Sequence, residues 1–301
     1  MATQGRRDFL KSLSAIGIST IGVAGITPSI TKASPENILS KDRMGVLVDT
    51  TVCIGCRKCE WACKNAHDMP SGSIDDYENE SVFDNKRRPD YSALTVVNKY
   101  QNDKTGSPIN VKVQCMHCDQ PACVSACIVG AFSKKENGSV VWDESKCIGC
   151  RYCMVACPFQ IPSFDYHKAL EPEIRKCDFC FDRTAEGKLP ACIEICPVEA
   201  ITYGRREDLV QVAQEKIKNY PERYNNHILG ETEVGGTSWM YMAGVDFKNL
   251  DFPTLGDKSA PGVSESIQHG IFSYFVPPVA LYALLGGVMW ISKNRDKKEE
   301  N

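Results

Sequence analysis

The sequence predicts an α+β fold in which a short strand, a cysteine-bearing loop and a short helix recur, with a single apolar helix close to the C-terminus. Three observations carry that prediction. The 301 residues include 16 cysteines, and these fall into four groups of four. One stretch, "VLVDTTVCIGCRKCEWAC" from Val46, aligns without a gap on "VVWDESKCIGCRYCMVAC" from Val140. A third stretch, "IFSYFVPPVALYALLGGVMWIS" from Ile271 to Ser292, is uncharged and long enough to cross the hydrocarbon core of a bilayer.

The cysteine spacing specifies the chemistry. The first group is Cys53, Cys56, Cys59 and Cys63, and the third is Cys147, Cys150, Cys153 and Cys157, followed by Pro158. Both read C-x2-C-x2-C-x3-C, the run by which bacterial ferredoxins hold [4Fe–4S] clusters. The second group, Cys115, Cys118, Cys123 and Cys127, widens the middle gap to four residues, and the fourth, Cys177, Cys180, Cys192 and Cys196 with Pro197, widens it to eleven. Three thiolates in one tight loop can each reach one iron of a compact cubane while backbone N–H groups turn inward to the sulfides. The fourth cysteine, a helical turn further on, points away and is expected to ligate the neighbouring cluster. A disulfide scaffold is disfavoured because cysteines two residues apart in one loop are poorly placed to bridge each other. Zinc is disfavoured because four ligands so close in sequence suit a cubane better than a single tetrahedral ion.

From the N-terminus, residues 1–33 read as a twin-arginine (Tat) signal. Arg6 and Arg7 precede Phe9-Leu10-Lys11, an apolar stretch and a small-residue exit at Thr31-Lys32-Ala33. Export after folding suits a chain whose thiols would pair as disulfides in an oxidising periplasm before meeting iron and sulfide. Residues 34–204 form the cluster-bearing domain. Its leading strands are "VLVD" and "SVVWD", its return strand is "AITYG", and a short helix is expected after each fourth cysteine. Pro121-Ala122-Cys123 and Pro190-Ala191-Cys192 match less closely, so the motif types alternate in ABAB order. An insert at about 65–106 carries "SALTVVNKY", a plausible strand, but no ligands.

Residues 205–270 read as a C-terminal extension packing on or beside the cluster-bearing core. Its "RREDLVQVAQEKIKNY" predicts an amphipathic helix from Arg205 that ends before Pro221. The run 271–292, kinked at Pro277-Pro278, reads as a transmembrane helix. Lys293, Arg295, Lys297 and Lys298 place the tail 293–301 in the cytoplasm and the clusters outside. A formal net charge of −3 points to no nucleic-acid partner. His117 lies between two ligands, but cysteines already fill every site, and His269 ahead of the apolar run reads as an interfacial histidine.

These motifs resemble those of the four-cluster ferredoxin-type subunits of membrane oxidoreductases, the group containing the electron-transfer subunits of DMSO reductase, formate dehydrogenase and hydrogenase-2. Within that group, "QCMHC" at 114–118, "GCRYCMVACPF" at 149–159, "EVGGTSWMYMAGVDFKNLDFPTL" from Glu233 and "SESIQHG" from Ser264 are most similar to the iron–sulfur subunits of hydrogenase-2. The resemblance implies two interleaved bacterial ferredoxin-like modules with inserted loops and four [4Fe–4S] clusters, the outer motifs paired and the inner motifs paired. One cluster then takes Cys53, Cys56, Cys59 and Cys196, and its partner takes Cys63, Cys177, Cys180 and Cys192. The inner pair takes Cys115, Cys118, Cys123 and Cys157, and Cys127, Cys147, Cys150 and Cys153. Lys64 and Ile128 stand where a proline often follows the fourth cysteine. Ligation survives that departure because the proline binds no iron, while a lysine beside a cluster favours its reduced, more negative state.

The resemblance further implies a non-catalytic electron-transfer subunit. It would relay electrons from the small and large catalytic subunits of a periplasmic [NiFe] hydrogenase to an integral-membrane quinone-reactive subunit of the NrfD or HybB type. It would be exported by the Tat machinery and tail-anchored at the periplasmic face of the inner membrane. The alternative is the equivalent subunit of a formate dehydrogenase or of a DMSO-, polysulfide- or tetrathionate-type molybdoenzyme.

Overall fold

A computed structural model describes residues 40, 42–102, 105–167, 173–261 and 281–291. The signal at 1–33 lies outside the described residues, as do 271–280 and 292 of the apolar run and the basic tail. Residues 281–291 are helical. No helix among the described residues is long and apolar enough to cross a membrane. The chain divides into two compact units, and the larger, Leu39–Glu265, contains all the cysteines.

At the centre of that unit, β1 (Met44–Asp49) pairs antiparallel with β8 (Ile201–Arg205) and parallel with β9 (Trp239–Met242). Side chains alternate across the strands, so β1 and β9 each serve two cores. Val46, Val48, Trp239 and Tyr241 join the core that contains Cys115, Cys177 and Cys192. Leu47, Met240 and Met242 face the other way, onto α6 (Arg206–Asn219). That helix presents Leu209, Ala213 and Ile217 at helical spacing, and Pro221 follows just beyond its end. The extension after residue 204 therefore does more than pack on the cluster-bearing region, since it supplies a strand of the central sheet.

Three hairpins surround the sheet: β2 (Val96–Gln101) with β3 (Pro108–Val113), β4 (Phe132–Lys134) with β5 (Val140–Trp142), and β6 (Ser163–Phe164) with β7 (Ile174–Arg175). The helices of the cysteine loops are α1 (Lys58–Ala66), α2 (Ala122–Ser125), α3 (Tyr152–Ala156), α4 (Phe181–Ala185) and α5 (Ala191–Glu194). Helix α1 packs on α5, and α2 on α3. A helix was expected after each fourth cysteine, and the structure corrects this. Cys59 and Cys63 both lie within α1, while Cys123, Cys153 and Cys192 lie within α2, α3 and α5. In α1 the whole C-x3-C step is helical, and in α2, α3 and α5 the third cysteine is helical and the fourth lies one or two residues past the helix end.

A buried carboxylate ties the parts together. Asp119, 2% exposed, accepts a hydrogen bond from Arg43 at 3.0 Å and lies 3.7 Å from Lys134 Nζ and 3.9 Å from Arg206 Nε. Gly236 passes it at φ 94°, where a Cβ would meet Asp119 Oδ2 at 2.7 Å, so only glycine fits. Asp119→Ala would strand three buried cations, and about 3–5 kcal/mol of stability is expected to go with it. Anaerobic urea unfolding of the holoprotein measures this as a lowered midpoint. An unchanged midpoint would show that the cations find other partners.

Candidate metal centres

Each cysteine loop is turned by the same backbone device. The residue before the second cysteine of every motif is in the left-handed region: Gly55 at φ 73°, His117 at 50°, Gly149 at 69° and Phe179 at 70°. In the first and third motifs, Arg57 and Arg151 follow at 59° and 60° and cap α1 and α3. Successive N–H groups around such residues turn to one side and form a concavity suited to an anion. Gly55 is also sterically fixed, since a Cβ there would lie 2.6 Å from Asn110 Oδ1, and the Asn110 amide donates to the Cys53 carbonyl at 3.0 Å.

His117 is thus a loop-shaping residue with a buried ring. Its Nδ1 accepts from the Val140 N–H at 2.8 Å, and its ring lies 5.0 Å from that of Phe179. Burial, with help from Lys176 and Lys134, holds its pKa well below the ordinary range, so the imidazole is neutral.

The thiols that come together are not those of one motif. Cys53, Cys56 and Cys59 line one pocket with Cys196, here called site A. At site B, the charge of Cys63 acts on Cys177 and Cys192, and that of Cys192 acts on Cys180. At site C, Cys115, Cys157 and Cys123 act on Cys118. At site D, Cys150, Cys147 and Cys127 act on Cys153. In every site the fourth cysteine of one motif joins the first three of another. Adjacent sites also meet in a fixed order, through Cys59 and Cys192, Cys177 and Cys115, and Cys123 and Cys153. The four sites form a row from A to D.

The donor chemistry fits iron–sulfur clusters. Burial pushes the Cys53 thiol up to about 11 and those of Cys153 and Cys180 to about 12, and holds those of Cys59, Cys118 and Cys177 well above the ordinary range. Thiolates so placed need a strongly cationic partner, which four irons supply. Site B has a companion that its isolated position in the sequence did not disclose. His67 contacts Asp178 Oδ1 through Nε2 at 2.9 Å and the Cys63 carbonyl through Nδ1 at 2.7 Å. Burial works against its charge, but the Asp178 carboxylate and the Cys63 thiol, 3.9 Å from Nδ1, prevail and raise its pKa to about 12.

Four convergent sets of thiols, most of them buried or half-buried, on a doubled strand–loop–helix frame define a four-cluster ferredoxin-type protein. Residues 52–131 and 109–206 each match the 4Fe-4S dicluster domain, and four [4Fe–4S] clusters are the cofactors of the chain. It is 48% identical over 258 residues to a protein of Nitratidesulfovibrio vulgaris, covering 85% of this chain and 69% of the relative. It is 34% identical over 310 residues to the hydrogenase-2 operon protein HybA of Escherichia coli O157:H7, covering 92% of each. It is also 34% identical over 255 residues to the formate dehydrogenase-O iron–sulfur subunit of Escherichia coli strain K12, covering 81% of this chain and 79% of the relative. The chain belongs to the family of iron–sulfur electron-transfer subunits that includes HybA.

Proposed function

We propose that the chain is a non-catalytic relay carrying electrons from a periplasmic [NiFe] hydrogenase to a quinone-reactive membrane subunit of the HybB or NrfD type. The row of thiol sites is the observation that carries this reading. Cys53, Cys56, Cys59 and Cys196 hold the cluster of site A, and Cys63, Cys177, Cys180 and Cys192 that of site B. Cys115, Cys118, Cys123 and Cys157 hold the cluster of site C, and Cys127, Cys147, Cys150 and Cys153 that of site D. The clusters supply one-electron transfer between neighbours. All 16 cysteines are used in this way, which leaves no spare thiol for a catalytic role.

The end of the row at site D is suited to a partner. Cys150 is exposed. Ile128, Ile148 and Val155, each close in sequence to a site D cysteine, are 72%, 58% and 82% exposed. Apolar surface of this kind is what interacting proteins cover. The likeness to HybA along 92% of the chain favours hydrogenase as the electron donor, and a formate dehydrogenase is the second reading because of the relative already described.

In this reading Arg6 and Arg7 direct Tat export, and residues 271–292 anchor the chain at the periplasmic face of the inner membrane with the basic tail in the cytoplasm. Leu281, Tyr282, Met289, Trp290 and Ile291 on the described part of that segment are exposed, as lipid-facing side chains are. Extraction of membranes in mild detergent tests the assignment. The catalytic subunits of a nickel–iron hydrogenase and a multi-span membrane protein are expected to co-purify with the chain. Recovery with formate dehydrogenase subunits would move the donor, and recovery as a partner-free periplasmic protein would end the proposal.

A further inference from the structure

Lys112 is carried by β3 into the space between sites A and B. The residue is 2% exposed. Its Nζ donates to Thr95 Oγ1 at 2.7 Å and Gln114 Oε1 at 2.9 Å, and lies 4.5 Å from the centre of the Trp239 ring. The Gln114 amide donates to the Tyr241 hydroxyl at 2.5 Å, and that hydroxyl donates to the Lys112 carbonyl at 2.9 Å. A closed ring of hydrogen bonds therefore fixes the ammonium group. None of these partners is charged.

An ammonium buried without a counter-ion is strongly unfavourable. Among the described residues no carboxylate forms an ion pair with Lys112; the side chain lines the pocket of Cys53, Cys56, Cys59 and Cys196, and lies over Trp239, which packs in the core with Cys177 and Cys192, and the thiolates that act on it include Cys192, Cys59 and Cys177. Cys59 belongs to site A, and Cys177 and Cys192 to site B. Burial disfavours the charged lysine, but these thiolates outweigh it and its pKa is raised. Lys176 repeats the arrangement one step along the row. It is 6% exposed, and its Nζ donates to the carbonyls of Val140 and Cys177. It thus sits against Cys177 of site B, and it lies 5.7 Å from the centre of the Phe132 ring, which packs in one core with Cys123 of site C.

We propose that Lys112 and Lys176 are counter-ions shared by adjacent clusters, Lys112 by those of sites A and B and Lys176 by those of sites B and C, and that they hold the reduction potentials of those clusters up. A cubane with four thiolates is a net anion that gains a further negative charge on reduction. A fixed ammonium beside it stabilises the reduced form more than the oxidised form, so removing the ammonium lowers the potential. The inference rests on the proposed ligand sets, and iron content reports on those separately.

The test is a redox titration, followed by electron paramagnetic resonance, of the anaerobic full-length holoprotein and three variants. Lys112→Met is expected to retain its iron and to lower two of the four midpoint potentials, each by at least tenfold in the reduction equilibrium, about 59 mV for a one-electron couple. Lys176→Met is expected to lower two as well, with the site B cluster common to both variants. Lys112→Arg keeps the charge and should leave all potentials within threefold of the parent. Unchanged potentials in Lys112→Met at full iron content would overturn the proposal, and so would an equal shift in all four. If Lys112→Met loses iron, the arginine variant decides. Iron retained in Lys112→Arg supports the counter-ion role, whereas iron lost from both means that the side chain serves only by its shape, and the proposal fails.

Discussion

Deleting this chain is expected to leave hydrogen-dependent reduction of an artificial dye by the catalytic subunits largely intact, while hydrogen-dependent reduction of membrane quinone falls to background. On the proposed relay, a dye takes electrons at the surface of the donor, whereas quinone would be reached only through the sites from A to D. In the proposed arrangement, tethering through residues 271–292 would make the meeting with a membrane subunit effectively intramolecular. Cutting the chain before Ser264 should therefore give a milder defect, with the clusters present and docking weakened. Persistent quinone reduction in the deletion strain, with no second ferredoxin-type subunit available, would remove the relay. Loss of formate-dependent activity instead would keep the relay and change the donor.

Cys127→Ser is expected to alter the cluster held with Cys147, Cys150 and Cys153 and to spare the cluster of its own motif. The prediction rests on the crossed ligand sets, with which the electrostatic pairing of Cys127 with Cys153 and of Cys157 with Cys118 agrees. The Cys127 sulfur accepts the Ala131 N–H at 3.1 Å, a bond that a shorter serine oxygen makes less well. If the altered cluster is lost outright, iron falls from about sixteen to about twelve per chain. Cys123→Ser, in the same motif, should change a different spectrum. Identical changes in the two variants would mean that the fourth cysteine stays with its own motif.

Local signals in the sequence disclosed the parts of the fold that are locally determined. The four cysteine groups, β1, β8 and α6 were all readable, because spacing and periodicity are written within a few residues of one another. The position of the loop helices was misread, since C-x3-C was taken as leading into a helix when its third cysteine is already helical. Lys112 was invisible for a physical reason. In "VKV" alternation assigns lysine to the solvent side, and only the packing of Thr95, Gln114 and Trp239 over β3 shows that both faces are covered. Strand β9 was hidden because "WMYM" is apolar on both faces and so lacks the period-two pattern of a half-buried strand. His117 was set aside as a ligand, and its place in the structure follows from a left-handed backbone angle that the first and third loops give to glycine and the fourth gives to Phe179.

The interleaving of the sites also dictates when the protein can be completed. The inner sites draw on residues 115 to 157, a short and continuous length of chain. Sites A and B join Cys53 to Cys196 and Cys63 to Cys177, and β1 waits for Ile201 to lie beside Val48 and for Trp239 to lie beside Val46. Like nested brackets, the outer pair cannot close until the inner pair has been spoken. A ribosome delivering this chain from its N-terminus therefore exposes the first four cysteines long before their partners exist. On the proposed ligand sets, loading of the outer sites waits until residue 196 has been made, and the thiols at 53 to 63 must be kept reduced throughout that interval.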